Sequence, residues 1–108
     1  MTIMQGDSYP IYIALTQDGD VLTPDLIAEL EVCVGDKLRY LYTAGNVYFD
    51  RDENQWFIHP TQQETLSLDV GAYLIAVRIR YKTAGMEEVV GVNVGRIQVK
   101  DSISEEVI

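Results

Sequence analysis

The side chains of this sequence best suited to nucleophilic and acid–base chemistry are its one cysteine, Cys33, and its one histidine, His59. A thiol beside an imidazole is a common nucleophile–base pair, and the separation of these two residues along the chain does not exclude one. Cys33, however, lies in an alternating stretch with no motif around it, where a free cysteine behaves as a small apolar side chain. We therefore interpret Cys33 as structural and predict no catalytic residues, since no serine has a Gly-x-Ser-x-Gly context and no glycine-rich phosphate loop is present.

Asp50, Asp52 and Asn54 have the spacing that opens a calcium-binding loop. The sixth position of such a loop needs glycine for its sharp turn, and the twelfth needs a bidentate glutamate. This chain has Gln55 and Thr61 at those positions. A solvated hairpin tip explains the same residues, and His59 has no second imidazole with which to share a metal ion. We predict neither a metal site nor a cofactor.

Charged side chains group on two predicted strands. Glu29 and Glu31 share one strand face and resemble a carboxylate pair, while Arg78, Arg80 and Lys82 share another and resemble an anion site. Both groups are more simply the solvent-facing sides of strands, and this is the interpretation we adopt.

Three aromatic side chains, Tyr12, Tyr48 and Phe57, are candidates for an exposed platform that binds sugar. Packing in the core or against another subunit explains them equally well, and the sequence leaves these alternatives open. We treat the three as candidate partner contacts, together with the apolar C-terminal pair Val107 and Ile108.

Composition limits the classes of protein to which the chain belongs. Its 108 residues leave room for one domain, and its apolar and charged fractions of 47% and 23% are ordinary for a globular one. Eight basic residues against 17 acidic ones give a net charge of −9. Nucleic acid and anionic membranes attract positively charged proteins and repel a protein with this charge. We therefore expect neither partner, and no small-molecule substrate is identified.

Processing and compartment are predicted from what the chain contains. The first seven residues hold no basic residue or long apolar run, so we expect no signal peptide. No stretch approaches the roughly 18 apolar residues that span a bilayer. A single cysteine excludes an internal disulfide, and we expect folding in a reducing cytoplasm.

An apolar period of two dominates the chain and predicts about seven short strands separated by turn residues. Residues 17–20 have turn chemistry, in which Asp18 and Gly19 are the residues that accept positive φ. The predicted strands are residues 9–15, 27–34, 38–42, 47–49, 55–58, 73–82 and 89–100. In the last strand we expect Val90, Val92 and Val94 to face inward before the phase breaks at Gly95, as at a β-bulge.

The register of one hairpin follows from the same alternation. A three-residue loop at residues 35–37 opposes Val34 with Leu38 and Val32 with Tyr40, whereas a two-residue loop mixes apolar and polar faces. The odd-length loop also places Glu31 diagonally opposite Arg39.

Helical structure is predicted only in short turns. Thr61 and Glu64 have the spacing of a capping box, which predicts a helical turn near residues 61–66. Ser102 and Glu105 predict a short C-terminal turn. We expect one domain over residues 1–108, with residues 1–7 an N-terminal tail and residues 101–108 a C-terminal tail.

The segment Asp69-Val70-Gly71-Ala72-Tyr73 has the D-x-G-x-Y pattern. It resembles the tyrosine corner of immunoglobulin-like domains, with Ile75 at the position of the antibody cysteine. The resemblance implies that the Tyr73 hydroxyl bonds back to the backbone before its strand. Trp56 does not lie on the strand expected from that family. We predict an all-β fold, an antiparallel two-sheet immunoglobulin-like sandwich, with Asp69, Gly71, Tyr73 and Trp56 as structural residues.

Five segments in order carry a second resemblance: residues 31–37, 47–50, 56–65, 76–80 and 101–108. Together they resemble small prophage-encoded proteins of Gram-positive bacteria and, more distantly, the N-terminal sandwich of phage baseplate upper proteins. The resemblance implies a structural module of a virion or tail-like particle, made in the cytoplasm of a bacterial host. It brings no catalytic residues.

We therefore expect a non-enzymatic assembly module whose partners are other phage structural proteins or further copies of itself. Open strand edges of a sandwich and the C-terminal tail are the expected contacts. The alternative is a carbohydrate-binding or adhesion sandwich.

Overall fold

Strands make up most of the fold, as the alternating apolar side chains predict. The computed structural model describes residues 1–82, 89–102 and 106–108. This part of the chain forms ten strands, a 3-10 turn at Pro24–Leu26 and a single α-helix, α1 (Gln62–Leu66). The strands are β1 (Thr2–Met4), β2 (Ile11–Ile13), β3 (Thr16–Gln17), β4 (Asp20–Val21), β5 (Ile27–Val34), β6 (Leu38–Leu41), β7 (Tyr48–Asp50), β8 (Gln55–Ile58), β9 (Gly71–Tyr81) and β10 (Val89–Lys100).

The strands form three sheets. A five-stranded sheet has the order β1-β10-β9-β5-β6, a three-stranded sheet has the order β2-β8-β7, and β3 and β4 form a hairpin. Buried side chains from the two larger sheets share one apolar core, in a sandwich-like arrangement. The predicted all-β architecture is confirmed, with more and shorter strands than the seven expected.

Trp56 on β8 is the largest side chain buried in this core, with no exposed surface. Its indole N–H donates to the Leu22 carbonyl oxygen at 2.7 Å, so its polar atom is satisfied. The rings of Tyr42 and Phe49 meet it edge-on, with centroids 5.1 and 5.0 Å away. Trp56 therefore lies at the centre of the core with its one polar atom paired.

The loop between β5 and β6 has the predicted odd length, since Val34 pairs with Leu38 and Val32 with Tyr40. Gly35 in this loop has φ +54°, a conformation that favours glycine. A Cβ on Gly35 would lie 2.9 Å from Cδ1 of Tyr73. Glycine is needed here both for the turn and for the close approach of that ring.

Two other predicted backbone features are confirmed. Asp18 and Gly19 both have positive φ and join β3 to β4, with Gln17 paired to Asp20. The pairing of β10 with β9 shifts between Asn93 and Gly95, where the apolar phase breaks.

Several expectations were wrong in detail. The expected N-terminal tail contains β1, which pairs in parallel with residues 98–100 of β10. Backbone hydrogen bonds of Met1 and Gln5 to Gln98 and Lys100 of β10 flank this pairing. The strand expected at residues 9–15 is only Ile11–Ile13. A register irregularity between Ile27 and Glu29 buries Ile27 and leaves Ala28 half-buried, contrary to the simple alternation.

Val90 and Val92 lie on the core side of the sheet, but the expectation that this position buries them was wrong. Both pair with buried β9 residues, Ile79 and Val77, yet both are exposed themselves. The cause is local, because β1 flanks only residues 98–100 of β10, where Val99 is buried, and no described strand lies beside Val90 and Val92 on that edge. Residues 103–105 of the turn predicted from Ser102 to Glu105 lie outside the described residues.

The tyrosine-corner bond is present. The Tyr73 hydroxyl donates to the Asp69 carbonyl oxygen at 2.7 Å, and Gly71 between them has φ +152°. Asp69 contributes through its backbone, and the bond fixes the chain just before β9 begins.

We predict that Tyr73→Phe lowers the free energy of unfolding by about 1 kcal/mol, the usual net contribution of one such hydrogen bond. Urea denaturation at neutral pH measures it. The matched control is Tyr9→Phe, whose hydroxyl lies 3.5 Å from the Thr2 carbonyl oxygen and should contribute little. Equal stability of Tyr73→Phe and wild type would contradict a structural role for the corner.

Candidate functional site

The candidate site is a row of three aromatic side chains on the outer face of the three-stranded sheet. Tyr12 on β2 and Tyr48 on β7 both pair with Phe57 on β8. Side chains alternate along a strand, so the register that buries Trp56 and Ile58 turns Phe57 outward. The sequence analysis singled out these three residues, and the structure brings them together.

The rings of this aromatic row touch one another. The Phe57 ring centroid lies 5.0 Å from that of Tyr48, nearly parallel at 21°, and 5.3 Å from that of Tyr12. Tyr12 and Tyr48 are 43% and 45% exposed. Core packing, one of the alternatives left open, is therefore wrong for these two side chains.

One end of the row is fixed by a carboxylate. The Tyr12 hydroxyl donates to Oδ2 of Asp50 at 3.1 Å. This hydrogen bond raises the pKa of Tyr12 above its ordinary value. Asp50 Oδ1 accepts from the backbone N–H groups of Asp52 and Glu53. The residues of the calcium-like motif thus form a hydrogen-bonded hairpin tip.

An open groove adjoins the other end of the row. It encloses about 570 Å³ and has Tyr48 and Phe57 as its aromatic wall. Polar side chains and one valine complete the lining: Ser8, His59, Thr61, Gln62, Gln63 and Val107. Such a mixture of aromatic surface and a few hydrogen-bonding groups is typical of binding sites.

Helix α1 positions much of this lining. Thr61 Oγ1 accepts from the Glu64 N–H at 3.1 Å, and Glu64 Oε1 accepts from the Thr61 N–H at 2.9 Å, which is the predicted capping box. Glu64 Oε2 also accepts from the hydroxyl of Tyr40 on β6 at 3.1 Å. Burial and the nearby Glu64 carboxylate raise the pKa of Tyr40. The helix is thereby tied to the five-stranded sheet.

The C-terminal residues lie beside the groove. Val107 lines it, and the Ile108 N–H donates to Gln62 Oε1 at 3.0 Å. Both apolar side chains are exposed. Of these two candidate contacts, Val107 shares the groove with Tyr48 and Phe57, and Ile108 is held next to it through Gln62. The sequence analysis missed Ser8, Gln62 and Gln63, because no motif marks them. The capping box beside Pro60 was the only available signal.

Cys33 and His59 are not brought together as a nucleophile–base pair. Cys33 lies on β5 of the five-stranded sheet, paired with Arg39 and Ala76, whereas His59 lines the groove beside the three-stranded sheet. Partial burial, and then the Glu31 carboxylate, raise the pKa of the Cys33 thiol. In the described ranges, no three histidine, cysteine or acidic side chains are grouped to hold a metal ion.

Glu31 lies on the outer side of β5, opposite to the buried Leu30 and Val32, but it is not exposed to solvent as expected. It is only 6% exposed and accepts from Arg39 Nε at 2.5 Å, as its predicted diagonal position implied. It also accepts two bonds from Arg78, at 2.7 and 2.9 Å. These bonds, chiefly those from Arg78, lower the pKa of Glu31 from 4.5 to about 2. The Arg78 partner follows from the β5–β9 pairing, which local sequence does not specify.

Comparisons of this chain with models of protein families, with curated proteins and with solved structures found no match. No helix in the described part of the chain has the length and apolar character to cross a membrane.

We predict that Glu31→Gln lowers the free energy of unfolding at neutral pH by about 1 to 2 kcal/mol, because both arginines are largely exposed and can be resolvated. A depressed pKa contributes stability above the unfolded value of 4.5 that is lost as pH falls toward 2. The difference between wild type and variant should therefore shrink across that window.

Urea denaturation at a series of pH values measures this difference. The control is Glu53→Gln in the exposed β7–β8 turn, which should follow the wild-type curve. Parallel wild-type and Glu31→Gln curves down to the acid limit would show that the ion pairs do not stabilise the fold.

Proposed function

We propose that this chain is a non-enzymatic assembly module of a phage or prophage particle, associated with its tail or baseplate, and that its aromatic row contacts a neighbouring protein. The observation that carries the proposal is the row itself. Three aromatic side chains stand in register on an outer sheet face, with two of them more than 40% exposed.

The chemistry of the row favours a protein partner. Aromatic side chains are enriched at the centres of protein interfaces, where they provide large contact areas with few rotatable bonds. Val107 and the half-buried Phe57 extend the apolar surface toward the groove. Contiguous apolar surface of this kind marks an interaction site more often than a solvated face.

An immunoglobulin-like topology is part of the proposal. The order β10-β9-β5-β6 corresponds to strands G, F, C and C′ of a variable-type domain, and β2-β8-β7 corresponds to strands B, E and D. On this correspondence Tyr73 lies near the start of strand F, where the tyrosine corner belongs. Trp56 departs from it, since it lies on strand E rather than on strand C.

The particle setting comes from the resemblance of five sequence segments to prophage proteins. The architecture supports it in general terms, because small sandwiches with exposed faces and open edges suit repeated contacts between subunits.

We predict that Tyr48→Ser and Phe57→Ser each weaken binding to a structural protein encoded by a neighbouring gene by about 10-fold or more, as loss of an interface-centre residue does. Biolayer interferometry with each purified neighbour-encoded protein measures the affinity. Tyr9→Ser is the control, because Tyr9 has similar exposure and lies outside the row. Undiminished binding by both row variants would argue against this surface.

A carbohydrate-binding or adhesion module is the second candidate. The observation that favours it is the nearly parallel Tyr48 and Phe57 rings beside a groove lined with amides, hydroxyls and an imidazole. Such rings offer a flat π face to the apolar side of a sugar ring, while Gln63 and His59 are within the same lining to bind hydroxyl groups.

A glycan array separates the two candidates. Binding of the wild-type chain to a neutral glycan, lost in Tyr48→Ser and reduced in Gln63→Ala, would favour the carbohydrate module. Absence of glycan binding together with neighbour-protein binding would favour assembly.

A further inference from the structure

Among the described residues, no strand pairs with the outer edge of β10 over about half its length. β1 covers only Gln98, Val99 and Lys100, and the terminal amine of Met1 reaches no further than the Arg96 carbonyl oxygen, at 3.4 Å. No strand among residues 1–82, 89–102 and 106–108 pairs with this edge from Val89 to Gly95. Backbone groups there are free to pair with another strand.

The other sheet edges carry the protections by which natural proteins avoid edge-to-edge association. β1, β2 and β7 have three residues each. Pro10 precedes β2, Asp50 ends β7, and Arg39 lies in the four-residue β6. Residues 89–95 of β10 contain neither proline nor a charged side chain. This edge is the longest of the described edges and lacks these protections.

The side chains along this edge are apolar and uncovered. Val90 and Val92 are 42% and 46% exposed although they face the core side of the sheet, and Val89 is 60% exposed. A strand added beside β10 would cover the first two and extend the core.

We infer that the β10 edge pairs with the same edge of a second copy of this chain, antiparallel and about a two-fold axis at Gly91. In this register Val90 lies opposite Val92 of the second copy, Gly91 opposite Gly91, and Val89 opposite Asn93. Apolar cross-strand pairs of this kind stabilise a sheet, and a self-complementary patch is what a two-fold interface requires.

The distribution of charge favours contact between two copies at residues 89–95 over contact at other surfaces. Each chain carries a net charge of −9, so two copies repel through most of their surfaces. Residues 89–95 are neutral, and the nearest strand presents the cations Arg78 and Arg80 opposite Gly91 and Val89. Within residues 89–95, the two edges therefore meet without opposed carboxylates.

This inference rests on the proposed assembly function and specifies one of its contacts. The edge lies in the five-stranded sheet, and none of its residues belongs to the aromatic row or lines its groove. Variants of the edge should therefore leave binding of the neighbour-encoded protein through the aromatic row unchanged. Failure of the self-association proposal can thus be distinguished from failure of the proposed function.

The first test is self-association by sedimentation velocity across a concentration series of the full chain. We expect a monomer–dimer equilibrium, weakened about 10-fold or more in Val92→Lys, because a charged side chain on an edge opposes pairing. The matched control is Val70→Lys, the same change at an exposed valine outside the edge. A strict monomer at all concentrations, or equal effects of the two variants, would overturn the inference. Thermal unfolding of each variant verifies that it is folded.

The second test fixes the register with single cysteines in a Cys33→Ser background. Directly opposed antiparallel residues have Cα atoms about 4.5 to 5.5 Å apart, within the range of a disulfide. Gly91 accepts a side chain, since its φ is ordinary and an added Cβ would lie 3.8 Å from Arg78 Cγ. Gly91→Cys should therefore form a disulfide with its own copy in glutathione redox buffer.

Val89→Cys provides the control for this test. In the proposed register its two copies lie roughly 13 Å apart along the strands and cannot be bridged. A mixture of Val89→Cys and Asn93→Cys chains should form the mixed disulfide instead. Equal cross-linking of Gly91→Cys and Val89→Cys, or none at Gly91→Cys, would overturn the register.

Discussion

The burial of Trp56 between the two large sheets is the interaction on which the rest of the structure depends. Its indole N–H reaches the Leu22 carbonyl oxygen, and its ring packs against Tyr42 and Phe49. Because neighbouring side chains on a strand point to opposite faces, this anchor also orients Phe57 outward. A slip of one residue in β8 would bury Phe57 and expose Trp56. The core and the aromatic row are thus set by a single register.

The sequence predicted the features that depend on local alternation and turn chemistry. The three-residue loop before Leu38, the positive φ at Asp18-Gly19, the irregularity before Gly95 and the capping box at Thr61 are all present. Each depends on a few adjacent residues. The Tyr73 hydroxyl bond is present for the same reason, since donor and acceptor lie four residues apart.

What the sequence did not predict depends on which strands become neighbours. The sequence predicted a tail at β1, because three residues are too few to show an apolar period. These residues form a strand by pairing with the edge of β10. Val92 is exposed because β1 pairs with β10 only at residues 98–100 and no described strand flanks Val92 on that edge. Glu31 is buried because β9 brings Arg78 beside it. The groove at the aromatic row likewise needs α1, the end of β8 and the C-terminal residues in one place.

The two proposed contacts lie on different sheets, and this separation suits a protein that joins neighbours in a larger particle. The most direct measurement is hydroxyl-radical footprinting of Tyr12, Tyr48 and Phe57 in the isolated chain and in assembled particles. The proposal that the row is a docking surface predicts that oxidation of these three side chains falls on assembly while that of Tyr9 does not. Unchanged oxidation of all three in the particle would contradict it.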